Sequence, residues 1–216
     1  MDIGLLPILR DDPATFVLLA IGLMGAIALH EFSHALAADL QGDRLPRAMG
    51  RLTLNPLRHL DPLGSLCIVL AGFGWGKPVE FRPQALASRR FGAAIVALAG
   101  PLMNLALAIL AALALKVTTD LDDPDFGAEG LSVGTQFLLL FLGINVILAV
   151  FNLLPVPPLD GSRLLTIFLP PRRHNIIYFL DQYGILILLV IVFFGAGLLD
   201  PIFRFVGRPI FELAGI

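Results

Sequence analysis

The residues best suited to chemistry are His30, Glu31 and His34, in the run His30-Glu31-Phe32-Ser33-His34. On a helix, residues four apart project from one face, so both imidazoles can bind one zinc ion while Glu31 reaches a water on that ion as general base. The spacing suits metal-assisted hydrolysis. The run lies inside a long apolar segment, where ionisable groups are costly to bury and usually functional. The bland alternative is a pair of interfacial histidines satisfied by neighbouring carbonyls. Catalytic zinc takes three protein ligands and keeps a fourth position for water, and the candidate third ligand is Asp160, which follows Asn152-Leu153-Leu154-Pro155-Val156-Pro157-Pro158-Leu159 and precedes Gly161. Pro155, Pro157 and Pro158 cannot continue a helix, and Gly161 permits a tight turn that could aim a carboxylate back toward the bilayer. Asp-Gly is also a common turn pair, so the local sequence leaves Asp160 open between ligand and turn residue.

The elements that must position these groups are membrane helices. The chain is 57% hydrophobic and 15% charged, against roughly 45–50% and 25% for soluble domains, so its solvent is mainly lipid. A helix needs about 20 apolar residues to cross roughly 30 Å of hydrocarbon, and four stretches qualify, at 15–40, 91–117, 132–154 and 176–199. A fifth, 61–75, is short and holds Pro62, Gly64, Gly72 and Gly74. Cytoplasmic loops collect Lys and Arg. Arg44, Arg47, Arg51 and Arg58 precede this segment and Lys77, Arg82, Arg89 and Arg90 follow it, so it dips into the membrane and returns. The acidic run with Asp120, Asp122, Asp123, Asp125 and Glu129 fits the outer side, and Arg163, Arg172 and Arg173 fit the inner. The tail, 201–216, reads as an interfacial helix.

The fold class expected is therefore an all-α polytopic membrane protein with an outer N-terminus, about four full transmembrane helices and a membrane-dipping segment. It forms a single domain over 1–216, with a catalytic core at about 14–166 and a C-terminal span and tail at about 176–216. In this topology His30 and His34 lie roughly 10 Å short of the cytoplasmic end of the first span by helix rise, and Asp160 emerges at the same face. A full crossing at 61–75 would put it on the other.

Several classes fall away on composition. A net charge of -2 offers no basic face for nucleic acid. Cys67 has no partner for a disulfide or thiolate site. Asp2, Asp11 and Asp12 against Arg10 give the wrong charge for a signal-peptide n-region, so the first span is expected to be retained.

HEFSH in a membrane helix followed by a distal NLLPVPPLDG resembles the paired signature of the site-2 protease family. RLTLNPLRHLDPLG at 51–64, GWGKPVEF at 74–81 and AGPLMN at 99–104 are similar to stretches in compact bacterial members, without the PDZ or CBS domain that many relatives carry. The similarity runs from about 14 to 166. It implies an intramembrane zinc metalloprotease with one zinc per chain held by His30, His34 and Asp160, and Glu31 as base. By the same resemblance Asn152 and Asn104 line the site and donate to the substrate backbone or the developing oxyanion; for each, a structural interhelical hydrogen bond is the alternative. Residues 45–81 resemble the family's membrane-dipping β-element, which offers an edge strand to substrate. The implied partner is a single-span membrane protein already trimmed by another protease, in the lipid bilayer of a bacterial cytoplasmic membrane, with the active site toward the cytoplasm.

Two other classes compete. A different membrane zinc hydrolase or hydroxylase would carry a histidine-rich cluster, whereas the chain has only His30, His34, His59 and His174. A metal transporter would favour inverted repeats and acids along several spans. His59 and Asp61, beside Pro56 and Pro62, are read as turn-shaping residues, and Asp181 as an interfacial anchor.

Overall fold

The computed structural model describes residues 4–72, 74–119, 130–165 and 174–216. The acidic run after 119, Phe73 and the arginines at 172 and 173 lie outside the described residues.

The first membrane helix is α2, Pro13–Leu40, preceded by the short α1, Leu6–Asp11. Pro13 suits a first helical position because its missing N–H would be unpaired there anyway, and the Asp12 carboxylate caps the end by accepting from Thr15 N at 3.1 Å. Its 28 residues span about 42 Å at helix rise. After α3, Leu45–Ala48, and α4, Pro62–Ala71, come α5, Arg89–Thr118, and α6, Val133–Leu153. Ser132 caps α6, which ends where the proline cluster begins. Leu154 is extended (ψ 136°), as expected for a residue whose helical region is blocked by a following proline. A 3₁₀ turn, Asp160–Leu164, then precedes α7, His174–Phe194, and α8, Ala196–Ala214.

Among the described residues three helices are long and apolar enough to cross a membrane: α2, residues Phe91–Thr118 of α5, and α6. Their outward faces carry Val17, Ile21, Leu102, Leu110, Val117 and Ile147, as lipid-facing surfaces require. Inward, the alanines of α2 and α5 let backbones approach: Ala26, Ala35, Ala97, Ala108 and Ala112 are all buried, the small-residue packing that replaces a hydrophobic drive in lipid. The stretch expected as a fourth span, 176–199, divides at Gly195 into α7 and α8. The expected tail helix starts earlier, at Ala196, and packs on the bundle, with Ile210 and Ala214 joining Ala108, Ala111, Ala112, Leu115, Leu142, Val146 and Val150 in one core.

Two side-chain contacts fix the helix directions. Gln136 Nε2 donates to Thr15 Oγ1 at 2.5 Å, tying the starts of α6 and α2, so these helices are parallel. Gln41 Nε2 donates to Gly92 O at 3.2 Å, setting the end of α2 beside the start of α5, which is antiparallel to both. Residues 41–88 therefore leave and rejoin the bundle at one end. Within them α4, capped by Asp61 through Gly64 N at 2.8 Å, turns at Gly72 in the left-handed region (φ 71°), where glycine is favoured. The chain then returns against α4 so closely that a side chain at Gly64 would collide with the Trp75 carbonyl, and one at Gly74 with the Gly64 carbonyl.

The expected β-element is reduced, among the described residues, to one antiparallel bridge, Leu60 with Gly76. The physical reason is that the returning leg packs on a helix rather than on a strand, and Pro78 and Pro83 lack the N–H a ladder needs. Ionic clasps hold it instead. Buried Asp39 pairs with Arg44 and Arg47 at 3.0 and 2.7 Å, and buried Asp43 with Arg82 at 2.8 Å. Burial pushes the Asp43 carboxyl up, but the Arg82 N–H and guanidinium outweigh it and hold the group below its ordinary range. Buried Arg51 donates to the carbonyls of Arg58 and Lys77.

Candidate metal centre

Three side chains from distant parts of the sequence converge where α2, α5 and the turn after α6 meet. His30 Nε2 and His34 Nε2 lie 3.0 Å apart, and Asp160 Oδ2 lies 3.0 Å from the first and 3.2 Å from the second. All of their candidate ligand atoms fall within 4.8 Å of one another. Zinc bonds of about 2.0–2.1 Å in a tetrahedron put ligand atoms roughly 3.3 Å apart, so the observed triangle has nearly the size of one face of such a site. The rings stand almost perpendicular, at 83°, with their Nε2 atoms adjacent.

The far side of each ring bears on which nitrogen carries the proton. His34 Nδ1 lies 2.6 Å from the Val96 carbonyl oxygen, which can only accept, so Nδ1 donates and Nε2 is left with its lone pair. His30 Nδ1 lies 2.5 Å from Asn104 Oδ1, an oxygen able to accept a proton from it. With the proton on each Nδ1, two imidazole lone pairs and a carboxylate face one another and form a donor set for a cation. Each element contributes to this arrangement. Helix α2 brings the histidines onto one face. Pro101, inside α5, has no N–H for the Ala97 carbonyl, and it follows the turn in which Val96 O receives His34. Gly161 packs so tightly on the Leu153 and Leu154 carbonyls that a Cβ would collide with both; close approach, rather than a positive φ, is what requires glycine there.

Glu31 is one residue along α2, and its Oε2 accepts from Val79 N at 3.2 Å. The returning leg of the hairpin therefore covers the carboxylate. Asn104 is fully buried, and its Nδ2 donates to Asn145 Oδ1 at 2.8 Å. Asn152 donates to Leu148 O at 2.9 Å within α6, with no hydrogen bond to the three converging groups. His59 is fully buried and bonded through Nε2 to Thr53 O at 2.7 Å, in the turn-shaping place expected of it.

Residues 18–132 and 127–194 match the family described as Peptidase family M50. The chain belongs to that family. Similar proteins include two whose names describe zinc metalloproteases: YwhC of Bacillus subtilis (strain 168), 36% identical over 80% of this chain and 78% of its own length, and Rip2 of Mycobacterium tuberculosis (strain H37Rv), 36% identical over 93% and 75%. Rip2 of Mycolicibacterium smegmatis is 35% identical over 82% and 67%. No solved structure matches the chain. This M50 peptidase is thus a zinc-dependent endopeptidase of the membrane.

Sequence reasoning missed four positions around these converging groups, one of them Val96, whose carbonyl oxygen faces His34 Nδ1. Asn145, fully buried on α6, was detectable by the rule that singled out Asn104 and Asn152, a polar amide in an apolar span. Gly100 faces the two Nε2 atoms so closely that a Cβ would overlap them, and nothing in its type announces that. Val79 acts through its backbone, which no residue type reveals.

Proposed function

We propose that this M50 peptidase hydrolyses peptide bonds in or near the transmembrane segment of a single-span protein already shortened by another protease. In this reading one zinc ion is held by His30 Nε2, His34 Nε2 and the Asp160 carboxylate, and Glu31 is the general base. The observation that carries it is the convergence of those atoms at 3.0–3.2 Å with each imidazole Nδ1 at 2.5 or 2.6 Å from an oxygen. Zinc bound there supplies Lewis acidity, bringing the pKa of a coordinated water toward 7.

The remaining chemistry belongs to the chain's own side chains. Glu31 accepts a proton from the attacking water and returns it to the leaving amine, the exchange a positioned carboxylate performs in peptide hydrolysis. Val79 N–H holds that carboxylate in place beforehand. Asn152 gives one N–H to Leu148 O and offers its second to the substrate backbone or the developing oxyanion. Asn104 has Oδ1 on His30 and Nδ2 on Asn145, so it serves the metal ligand rather than the substrate. The extended leg 77–82, close to Glu31, is the surface against which an unwound substrate lies.

The orientation follows the arginine distribution: four spans with α7 as the last, the N-terminus outside, the hairpin dipping from the cytoplasmic side of a bacterial cytoplasmic membrane, and one domain over 1–216. The common exit and return of residues 41–88 at one end of the bundle supports it. The test is metal analysis of the purified protein together with cleavage of a membrane-spanning substrate. Glu31→Gln is expected to retain about one zinc per chain and lose cleavage. Parent-like cleavage would remove Glu31 from its role, and a fully active parent without zinc would remove the metal reading.

A further inference from the structure

Deep in the bundle, behind the metal centre, a chain of hydrogen bonds crosses from α2 through α5 to α6. His30 Nδ1 meets Asn104 Oδ1 at 2.5 Å, Asn104 Nδ2 donates to Asn145 Oδ1 at 2.8 Å, and Asn145 Nδ2 donates to the Phe141 carbonyl at 2.8 Å. Both asparagines are fully buried, at 0% exposure, so water cannot stand in for either amide.

An asparagine amide taken alone can face a neighbour with its oxygen or with its NH₂ group. Were Asn104 reversed, it would give an N–H to His30 Nδ1, the ring proton would move to Nε2, and the lone pair facing Asp160 and His34 would be lost. Asn104 and His30 cannot choose between these arrangements by themselves, because both are self-consistent. The choice is made at the other end. The Phe141 carbonyl only accepts, so Asn145 must turn its NH₂ group toward it. That leaves Asn145 Oδ1 for Asn104, which must answer with its own NH₂ group, leaving Asn104 Oδ1 for His30.

We propose that Asn145 is a positioning residue that selects the metal-binding tautomer of His30, reading the direction of the Phe141 carbonyl and passing it through Asn104. This rests on the reading of His30 as a zinc ligand. A partner on the far nitrogen of a ligating histidine commonly controls metal affinity by about 10–100-fold, and here the control is exerted from two residues away on a third helix. His34 is independent of it, since its Nδ1 donates directly to Val96 O.

The experiment is nitrogen NMR of ¹⁵N-histidine-labelled, metal-free protein in detergent, with zinc affinity measured by chelator competition. In the parent, His30 and His34 are both expected with the proton on Nδ1. Asn145→Leu removes the directional anchor while keeping bulk, so His30 should shift toward the Nε2-protonated form, His34 should stay unchanged, and zinc affinity should fall by about 10–100-fold. The double variant Asn104→Asp with Asn145→Leu places an acceptor against His30 regardless of position 145, and should restore the Nδ1 proton and most of the affinity. An unchanged His30 tautomer in Asn145→Leu, or no recovery in the double variant, would overturn the proposal. If Asn145→Leu disturbs His34 as well, the double variant decides by the same criterion. His30→Gln separates this from the metal reading: unchanged zinc affinity there would refute His30 as ligand, while the tautomer measurement, made without metal, stands by itself.

Discussion

Replacing Gly100 by alanine drives one methyl group into the Nε2 edges of His30 and His34. A Cβ at this position would lie 2.5 Å from His30 Nε2 and 2.6 Å from His30 Cε1, with His34 Nε2 nearer still. Ordinary contact needs about 3.5 Å, so α5 or the rings must give way by roughly 1 Å. A zinc site tolerates only about 0.2 Å in its ligand distances. Little can move, because α5 is held to α2 through His34 and Val96 O, to α6 through Asn104 and Asn145, and to the shared alanine-rich core. Zinc affinity is expected to fall by at least about 100-fold, or about 2.7 kcal/mol, and turnover at saturating zinc by about 100-fold, the usual consequence of a 1 Å misplacement. The assay is chelator competition for zinc alongside cleavage of a membrane-spanning substrate. Gly143→Ala is the control, since its Cβ meets nothing within 4 Å. Parent-like affinity and cleavage in Gly100→Ala, with Gly143→Ala also unaffected, would refute the placement of the metal between the two Nε2 atoms.

The remaining expectations concern the third ligand, the topology and the hairpin. Asp160→Asn exchanges an anionic oxygen for a neutral one and should lower zinc affinity by about 10-fold or more together with cleavage, whereas Glu31→Gln should separate the two; tight zinc binding with intact cleavage in Asp160→Asn would move the third ligand elsewhere. Single cysteines placed beside Arg51 and beside Arg82, in a Cys67→Ala background, should react with a membrane-impermeant reagent from the same side; labelling from opposite sides would refute the dipping hairpin. The Asp43 carboxyl is held below its ordinary range by Arg82, so its ion pair is intact above that range and lost as pH falls through the lowered value. Emission of the only tryptophan, Trp75, should accordingly be constant from neutral pH down to about 4 and shift below it, while Asp43→Asn should show the shifted emission at neutral pH. An unshifted Asp43→Asn spectrum would release the clasp from any role in holding the hairpin.

The parts legible in the sequence were those written in side-chain type or in broken periodicity. Two histidines four apart define a helix face whatever surrounds them, and three prolines after Leu154 end α6 wherever it packs. The arginines on both sides of 61–75 indicated a return to one side, and residues 41–88 do return to one end of the bundle. Illegible were contacts made by atoms every residue carries or by atoms a residue lacks. Val79 holds Glu31 through a backbone N–H, Val96 fixes His34 through a carbonyl, and Gly100 matters for the absence of a side chain. The expected β-element is met among the described residues only by the bridge of Leu60 with Gly76, for a related reason. Apolar and glycine content indicates a tight hairpin, but whether its returning leg meets a strand or a helix depends on the fold around it.

The parallel course of α2 and α6 bears on when activity can appear during synthesis. His30 and Asp160 are 130 residues apart in the chain, and ribosomes add about 5–20 residues each second, so roughly 7–26 s separate the two at the ribosome. Throughout that interval the inserted polypeptide holds His30, Glu31 and His34 but lacks Asp160. On the proposed ligand set, the third ligand becomes available only after α6 and the proline turn have been made.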